Sequence, residues 1–247
     1  MGEFELIRHY FQRAGANPPG VVLGVGDDCA LLQPTAGMQW AISSDMLVEG
    51  RHFLSTVRPE RLGHKALAVN LSDLAAMGAR PLGFTLALAL PRADDAWLAA
   101  FSRGLFALAD AHACPLVGGD TTRGPLNLCI TIFGELRPGQ ALRRDAAQVG
   151  DDLYLSGAVG EARLALELLR GTPWATAHSA PDALSRLRER LERPTPRVAL
   201  GQALAGLAHA AIDVSDGLTG DLGHILCASG AGAEIELGAL PLPPDLA

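Results

Sequence analysis

The chain has 247 residues, 49% of them hydrophobic and 19% charged, with a formal net charge of −7. That length exceeds what one ordinary core needs and predicts two modest domains, and with no apolar run of about 18 residues it excludes a membrane-spanning helix. The acidic balance excludes binding to nucleic acid through an overall positive field.

The start, MGEFELIRHYFQ, is acidic and amphipathic and lacks the basic stretch and apolar core of a secretory signal, so a cytoplasmic location is expected. Apolar residues at helical spacing predict a helix through EFELIRHYFQRAG, ending at Gly15 before the breaker ANPPG. VVLGV is a short β-rich run that leads to Asp27 and Asp28, and QWAISSD is a second that ends on Asp45. The stretch ERLGHKALAVNLSDLAAMGARP predicts a helix that stops at Gly78, with Pro81 beyond it. Asn70 and Asp73, three apart, then share a helix face. GFTLALAL reads as a buried strand and ADDAWLAAFSRGLFALADAH as an amphipathic helix with an acidic first turn; CPLVGGD reads as a strand ending at Asp120, and LNLCITIFGEL as a further strand.

RPGQALRRDAAQVGDD is loop-like and puts a domain boundary near residues 139–149, giving an N-terminal domain over 1–140 and a C-terminal one over 149–247. EARLALELLRG and DALSRLRERLERPTPRVALGQALAGLA read as helical, and AAIDVSDGLTGDLGHILCASG as a strand, a tight turn and a helix. Cys29, Cys114, Cys129 and Cys227 show no C-x-x-C spacing and fit reduced, mostly buried thiols. Lys65 is the only lysine, and it stands between His64 and Ala66, which excludes a Walker A loop.

The chemistry lies in a conjunction of aspartates. Asp27, Asp28, Asp45, Asp73, Asp120, Asp213 and Asp216 each sit beside small or apolar residues, and all but Asp73 follow a strand-like run, a setting that predicts partial burial. Each alone has a simpler role: Gly-Asp-Asp as a turn, Asp73 as a solvated helix residue, Ser215 or Asp216 as an N-cap, His52 packed under a loop and Lys65 solvating a helix end. Together they imply grouped carboxylates, which repel strongly at low effective dielectric unless a cation joins them. An all-oxygen set without histidine or cysteine favours Mg²⁺ over zinc and points to a polyphosphate partner. VGDD occurs twice, at residues 25–28 and 149–152, and only the first enters this set.

GDDCALL, AISSDMLVEGRHF, HKALAVNLSDLAAMGARP, LVGGDTTRGPL and IDVSDGL, in this order, resemble the thiamine-monophosphate kinase family of the superfamily that includes aminoimidazole ribonucleotide synthetase and selenophosphate synthetase. The resemblance covers essentially the whole chain. It implies an α+β, two-domain aminoimidazole-ribonucleotide-synthetase-like fold, with a mixed α/β N-terminal domain that dimerises and an α+β C-terminal domain. The implied reaction is direct in-line transfer of the ATP γ-phosphoryl to thiamine monophosphate, without a covalent nucleophile. Carried over position by position, Asp28, Ser43, Ser44, Asp45, Asp73, Asp120, Asp213 and Asp216 match metal positions, with Asp27 adjacent and weaker. Gly119, Asp120, Arg144 and Ser215 match ATP contacts, and His52 matches a contact to the thiamine phosphate. The implied partners are ATP, thiamine monophosphate, several Mg²⁺ ions and a second copy of the chain, with neither nucleic acid nor a membrane. The family pattern continues past PLPPDLA into a segment carrying a Gly-Gly-Glu-Asp motif, which leaves an incomplete C-terminal domain as an expectation here. Two alternatives stay open beside the kinase: another ATP-dependent synthetase of the superfamily, and a catalytically inactive nucleotide-binding fragment.

Overall fold

In the computed structural model, residues 3–13, 17–178, 183–243 and 246 are described. The chain opens with a short helix α1 (Glu3–Leu6) that runs into a π turn over Ile7–Phe11. This helical segment ends at Phe11, four residues before the predicted Gly15, which lies outside the described residues. Two short strands, β1 (Val21–Leu23) and β2 (Leu31–Leu32), pair antiparallel, with Asp27 and Asp28 in the turn between them.

Then come β3 (Gln39–Val48), α2 (Pro59–Ala76), β4 (Arg80–Leu90), α3 (Asp95–Ala111), β5 (Leu116–Arg123) and β6 (Asn127–Leu136). The four strands form one sheet in the order β3-β6-β4-β5, parallel only between β4 and β5. Phe84, Leu86 and Leu88 of β4 and Leu128, Ile130 and Ile132 of β6 point to one face. There they meet Leu62, Leu67, Leu71 and Leu74 of α2 and Leu98, Phe101 and Leu105 of α3 in a single core. Full burial of one such side chain stabilises by about 1.5–3 kcal/mol, so this face is what holds the sheet and the two helices together. The opposite face of β3 carries Trp40, Ile42, Met46 and Val48, all exposed.

Helix α2 ends as its sequence predicts. Gly78 adopts φ +73, its amide bonds the Ala75 carbonyl at 3.0 Å, and Ala79 bonds Leu74 at 2.8 Å, which satisfies the last free carbonyls of the helix.

Beyond residue 136 the chain carries α4 (Glu161–Leu169), α5 (Pro173–His178), α6 (Ala183–Glu192), α7 (Val198–Leu204), α8 (Leu218–Ser229) and a 3₁₀ turn over Leu237–Ala239. Leu164, Ala165, Ala175, Ala183 and Leu187 form a second, smaller core, while Val198 of α7 joins the first. The helical stretch predicted from residue 182 to 208 is two helices, broken where Pro194 and Pro196 remove backbone donors. Two strand expectations need correction. AAIDV is not a strand, because no neighbouring strand among the described residues supplies a ladder. β3 and β5 do not stop at their aspartates: β3 continues three residues past Asp45, and β5 three past Asp120.

The fold is the mixed α and β architecture expected from the sequence. Among the described residues, no helix is long and apolar enough to cross a membrane.

Candidate active site

Alternation along β3 turns Ser43, Asp45 and Leu47 toward α2, and Leu47 is buried there. The edge strand leaves backbone donors unpaired on its outer side, and α2 supplies partners. The Asp45 amide donates to Asn70 Oδ1 at 3.2 Å, and Asn70 Nδ2 donates to the Ala66 carbonyl at 2.9 Å. Asn70 is only 1% exposed, so its bond to Ala66 is sheltered from water and its bond to Asp45 partly so. Three residues on, Asp73 Oδ2 accepts from the Ser43 hydroxyl.

Asp213 approaches this pair from the turn before α8. Burial holds the Asp45 carboxyl above its ordinary range; Asp213 pushes it further up and His52 pulls it partly back. Burial also raises Asp73; Asp45 adds to this, while Ser43 and Arg144 offset part of it. Asp213 is raised by burial, then by Asp73 and Asp221, with the Ser72 side chain counteracting. Ser43, Asp45, Asp73 and Asp213 thus form one electrostatically coupled group, with His52 and Arg144 at its margin. Its donors are all oxygens, the chemistry that suits a hard cation such as Mg²⁺. Among the described residues, no three acidic, histidine or cysteine side chains converge on one point at ligand distance.

A second group occupies the other side of the sheet. Asp120 pairs with the exposed Ala87 and faces away from the α2–α3 core. Asp27, Asp28, Gly119 and Asp120 line a cleft of about 720 Å³, together with Trp40 and Phe133. Gly119 has φ +146, and a Cβ there would lie 1.9 Å from the Leu86 carbonyl oxygen, so the close approach of β5 to β4 admits only glycine. Ser44 also faces this side, where its hydroxyl lies 3.0 Å from Thr131 Oγ1 and donates to the Ile130 carbonyl at 3.2 Å.

The predicted residues are therefore brought together as two groups rather than one. β3 and β5 are opposite edges of the sheet, about 14 Å apart by strand spacing. Partial burial holds for Asp45, Asp73 and Asp213, whereas Asp27, Asp28, Asp120 and Asp216 are exposed, because they stand in turns or on the uncovered face. Arg144 and His52 are exposed as well.

The second VGDD is a turn. Asp151 Oδ2 accepts from the Gln148 amide at 2.8 Å, and Oδ1 lies 2.8 Å from His209 Nδ1.

Three contributors have roles that the sequence does not show. Lys65 Nζ donates to the His52 carbonyl at 3.0 Å, tying the loop after β3 to α2, and burial pushes its amine below its ordinary value. Asn70 holds the Asp45 backbone. Asp221, 3% exposed in the first turn of α8, accepts from the amides of Ser215, Asp216 and Gly217. The sequence places Asn70 on the helix face of Asp73 and marks Lys65 as the only lysine, but neither signal gives its partner.

Residues 26–136 match the family described as AIR synthase related protein, N-terminal domain. A thiamine-monophosphate kinase of Salmonella typhimurium is 50% identical over 240 residues, spanning 97% of this chain and 73% of that protein. The crystal structure of thiamine-monophosphate kinase from Stenotrophomonas maltophilia K279a superposes with a TM-score of 0.85 at 52% identity, covering 92% of this chain and 72% of that one. The structure of AaThiL complexed with AMPPCP and TMP aligns with a TM-score of 0.77 at 31% identity, over 86% of this chain and 68% of that one.

Proposed function

The chain belongs to the thiamine-monophosphate kinase family, and on that premise we propose how its two acidic groups serve the transfer of the ATP γ-phosphoryl to thiamine monophosphate, giving thiamine diphosphate and ADP. The observation that carries this reading is the set of half-buried carboxylates Asp45, Asp73 and Asp213, each held above its ordinary range chiefly by burial and then by a neighbouring carboxylate. Such a set is unfavourable alone and becomes favourable beside cations. The complex of AaThiL with AMPPCP and TMP supports the pairing of a nucleotide with the acceptor.

In the step itself, a phosphate oxygen of thiamine monophosphate attacks Pγ in line, the bond from Pγ to the β,γ-bridging oxygen breaks, and ADP leaves with the electron pair. A phosphate monoester is largely ionised near neutral pH, its second pKa being about 6, so no strong general base is required. The work of the chain is positioning and electrostatic stabilisation. Asp45, Asp73 and Asp213, with Ser43, would hold Mg²⁺ on one side, and Asp28 and Asp120, with Asp27 beside them, on the other; Ser44 shares that second face from the opposite edge strand β3. Held by these residues, Mg²⁺ would neutralise polyphosphate charge. Arg144, beside Asp73, offers a fork of donors to phosphate oxygens. Ser215 and Gly119 contribute to the nucleotide site, Asp216 adds a carboxylate at the same turn as Ser215, and His52 meets the thiamine phosphate.

A homodimer is part of the same reading, supported by the exposed apolar face of Trp40, Ile42, Met46 and Val48; a cytoplasmic location and the division into domains at residues 139–149 belong to it too. The acceptor test is direct. With ATP and Mg²⁺, thiamine monophosphate should yield thiamine diphosphate, and unphosphorylated thiamine should yield nothing; equal phosphorylation of both would refute the assigned acceptor.

A further inference from the structure

Asp221 is a buried acid that the reaction as described does not use. Its Oδ2 accepts from three successive backbone amides, Ser215 at 2.9 Å and Asp216 and Gly217 at 3.1 Å each. Convergent amides of this kind form an anion-binding nest, and this one stands at the N-terminus of the 12-residue helix α8, where negative charge is favoured. Gly217, at the N-cap with φ +119, has no side chain to cap the helix. Asp221, four residues on, takes that role from inside the first turn.

We propose that Asp221 is a positioning residue for phosphoryl transfer: by gathering the amides of residues 215–217 it fixes the turn that carries Asp213, Ser215 and Asp216. The role of that turn rests on the kinase reading; the nest itself rests on the hydrogen bonds alone. Two consequences separate this role from a generic helix cap. The nest is already filled, so its three amides are not available to a nucleotide phosphate, and Ser215 meets ATP through its hydroxyl. Asp221 also lies close enough to Asp213 for its charge to act on that carboxylate, which a cap remote from the site would not.

The test compares Asp221→Asn and Asp221→Ala with the unaltered 247-residue chain. Hydrogen exchange of the amides of residues 215–217 should quicken by roughly tenfold or more in Asp221→Ala, with core amides of α2 and β6 unchanged. The dissociation constant for AMPPCP with Mg²⁺ should rise roughly tenfold, with a smaller rise in Asp221→Asn, which keeps an acceptor oxygen. In turnover, kcat/KM for ATP should fall in the same order while the melting temperature of Asp221→Asn stays near that of the parent. If Asp221→Ala fails to fold, Asp221→Asn carries the comparison. Unchanged exchange and affinity would overturn the proposal, and so would tighter AMPPCP binding, because the carboxylate would then be occupying the place of a phosphate. Failure of the unaltered chain to make thiamine diphosphate would count against the kinase reading instead, and the exchange measurement would still decide the nest.

Discussion

Replacing Gly119 with alanine tests the geometry at the β4–β5 edge, where a predicted nucleotide contact adjoins Asp120. Gly119 pairs with Leu86 in the parallel ladder. A Cβ at this position would lie 1.9 Å from the Leu86 oxygen, 2.7 Å from its carbonyl carbon and 2.8 Å from its nitrogen, and the residue sits at φ +146. The backbone conformation costs a side-chain-bearing residue about 1–3 kcal/mol. Relieving the overlap by moving β5 away from β4 costs about 1–3 kcal/mol more. A combined cost of about 4 kcal/mol corresponds to a fall in melting temperature of roughly 8–16 °C for a chain of this size. Gly118 provides the control. A Cβ there meets only Thr85 Cγ2 at 3.7 Å and Ala30 Cβ at 4.0 Å, so Gly118→Ala should melt within roughly 2–4 °C of the parent. Thermal unfolding followed by circular dichroism reads both variants, and kinase activity should drop with Gly119→Ala because Asp120 moves with β5. Equal melting temperatures for the two variants would refute this account of the strand edge.

Three further outcomes follow from the site. Asp28→Asn should lower kcat/KM on the order of 100-fold or more, the scale of losing one electrostatic stabiliser, whereas Asp152→Asn, in the second VGDD, should stay within a few-fold; equal losses would undo the distinction between site and turn. Because burial in the folded chain raises the Asp213 carboxyl above its ordinary range, the folded chain binds more protons than the unfolded one, so this residue costs stability as pH rises through its folded value. Asp213→Asn should therefore raise the melting temperature of the EDTA-treated chain at pH 7, with the gain shrinking toward pH 4, and a lowered melting temperature at pH 7 would contradict the sign. Asn70→Ala leaves the Asp45 amide without its acceptor and should cost about 1–3 kcal/mol in urea unfolding; no measurable loss would mean that the bond contributes nothing.

Much of the N-terminal half was legible because local signals and the tertiary fold agree there. Helix α2 stops at Gly78, where the sequence punctuates it, and the runs through residues 83–90 and 126–136 are strands with one fully buried face. What local signals lack is the order of strands. Nothing near Asp45 or Asp120 says that β3 and β5 end up on opposite edges of the sheet, so one aspartate set in the sequence is two in space. The strand limits were misread for a related reason: Met46 and Val48 alternate outward on an uncovered face, so the pleat continues past the first aspartate without the usual polar signal. Asp221 was missed because an acid in the first turn of a helix reads as a complement to the dipole. Only the fold shows its oxygen holding three amides. AAIDV has strand composition, but a strand exists only against a partner, and the described residues offer none.

The most direct measurement of the central claim is transfer of label from ATP carrying a radioactive γ-phosphate to thiamine monophosphate, with products separated by chromatography, in Mg²⁺ and in EDTA. Labelled thiamine diphosphate is expected in Mg²⁺, none in EDTA, and recovery when Mg²⁺ is restored. Label released as inorganic phosphate with none in thiamine diphosphate, or transfer that persists in EDTA, would contradict the claim.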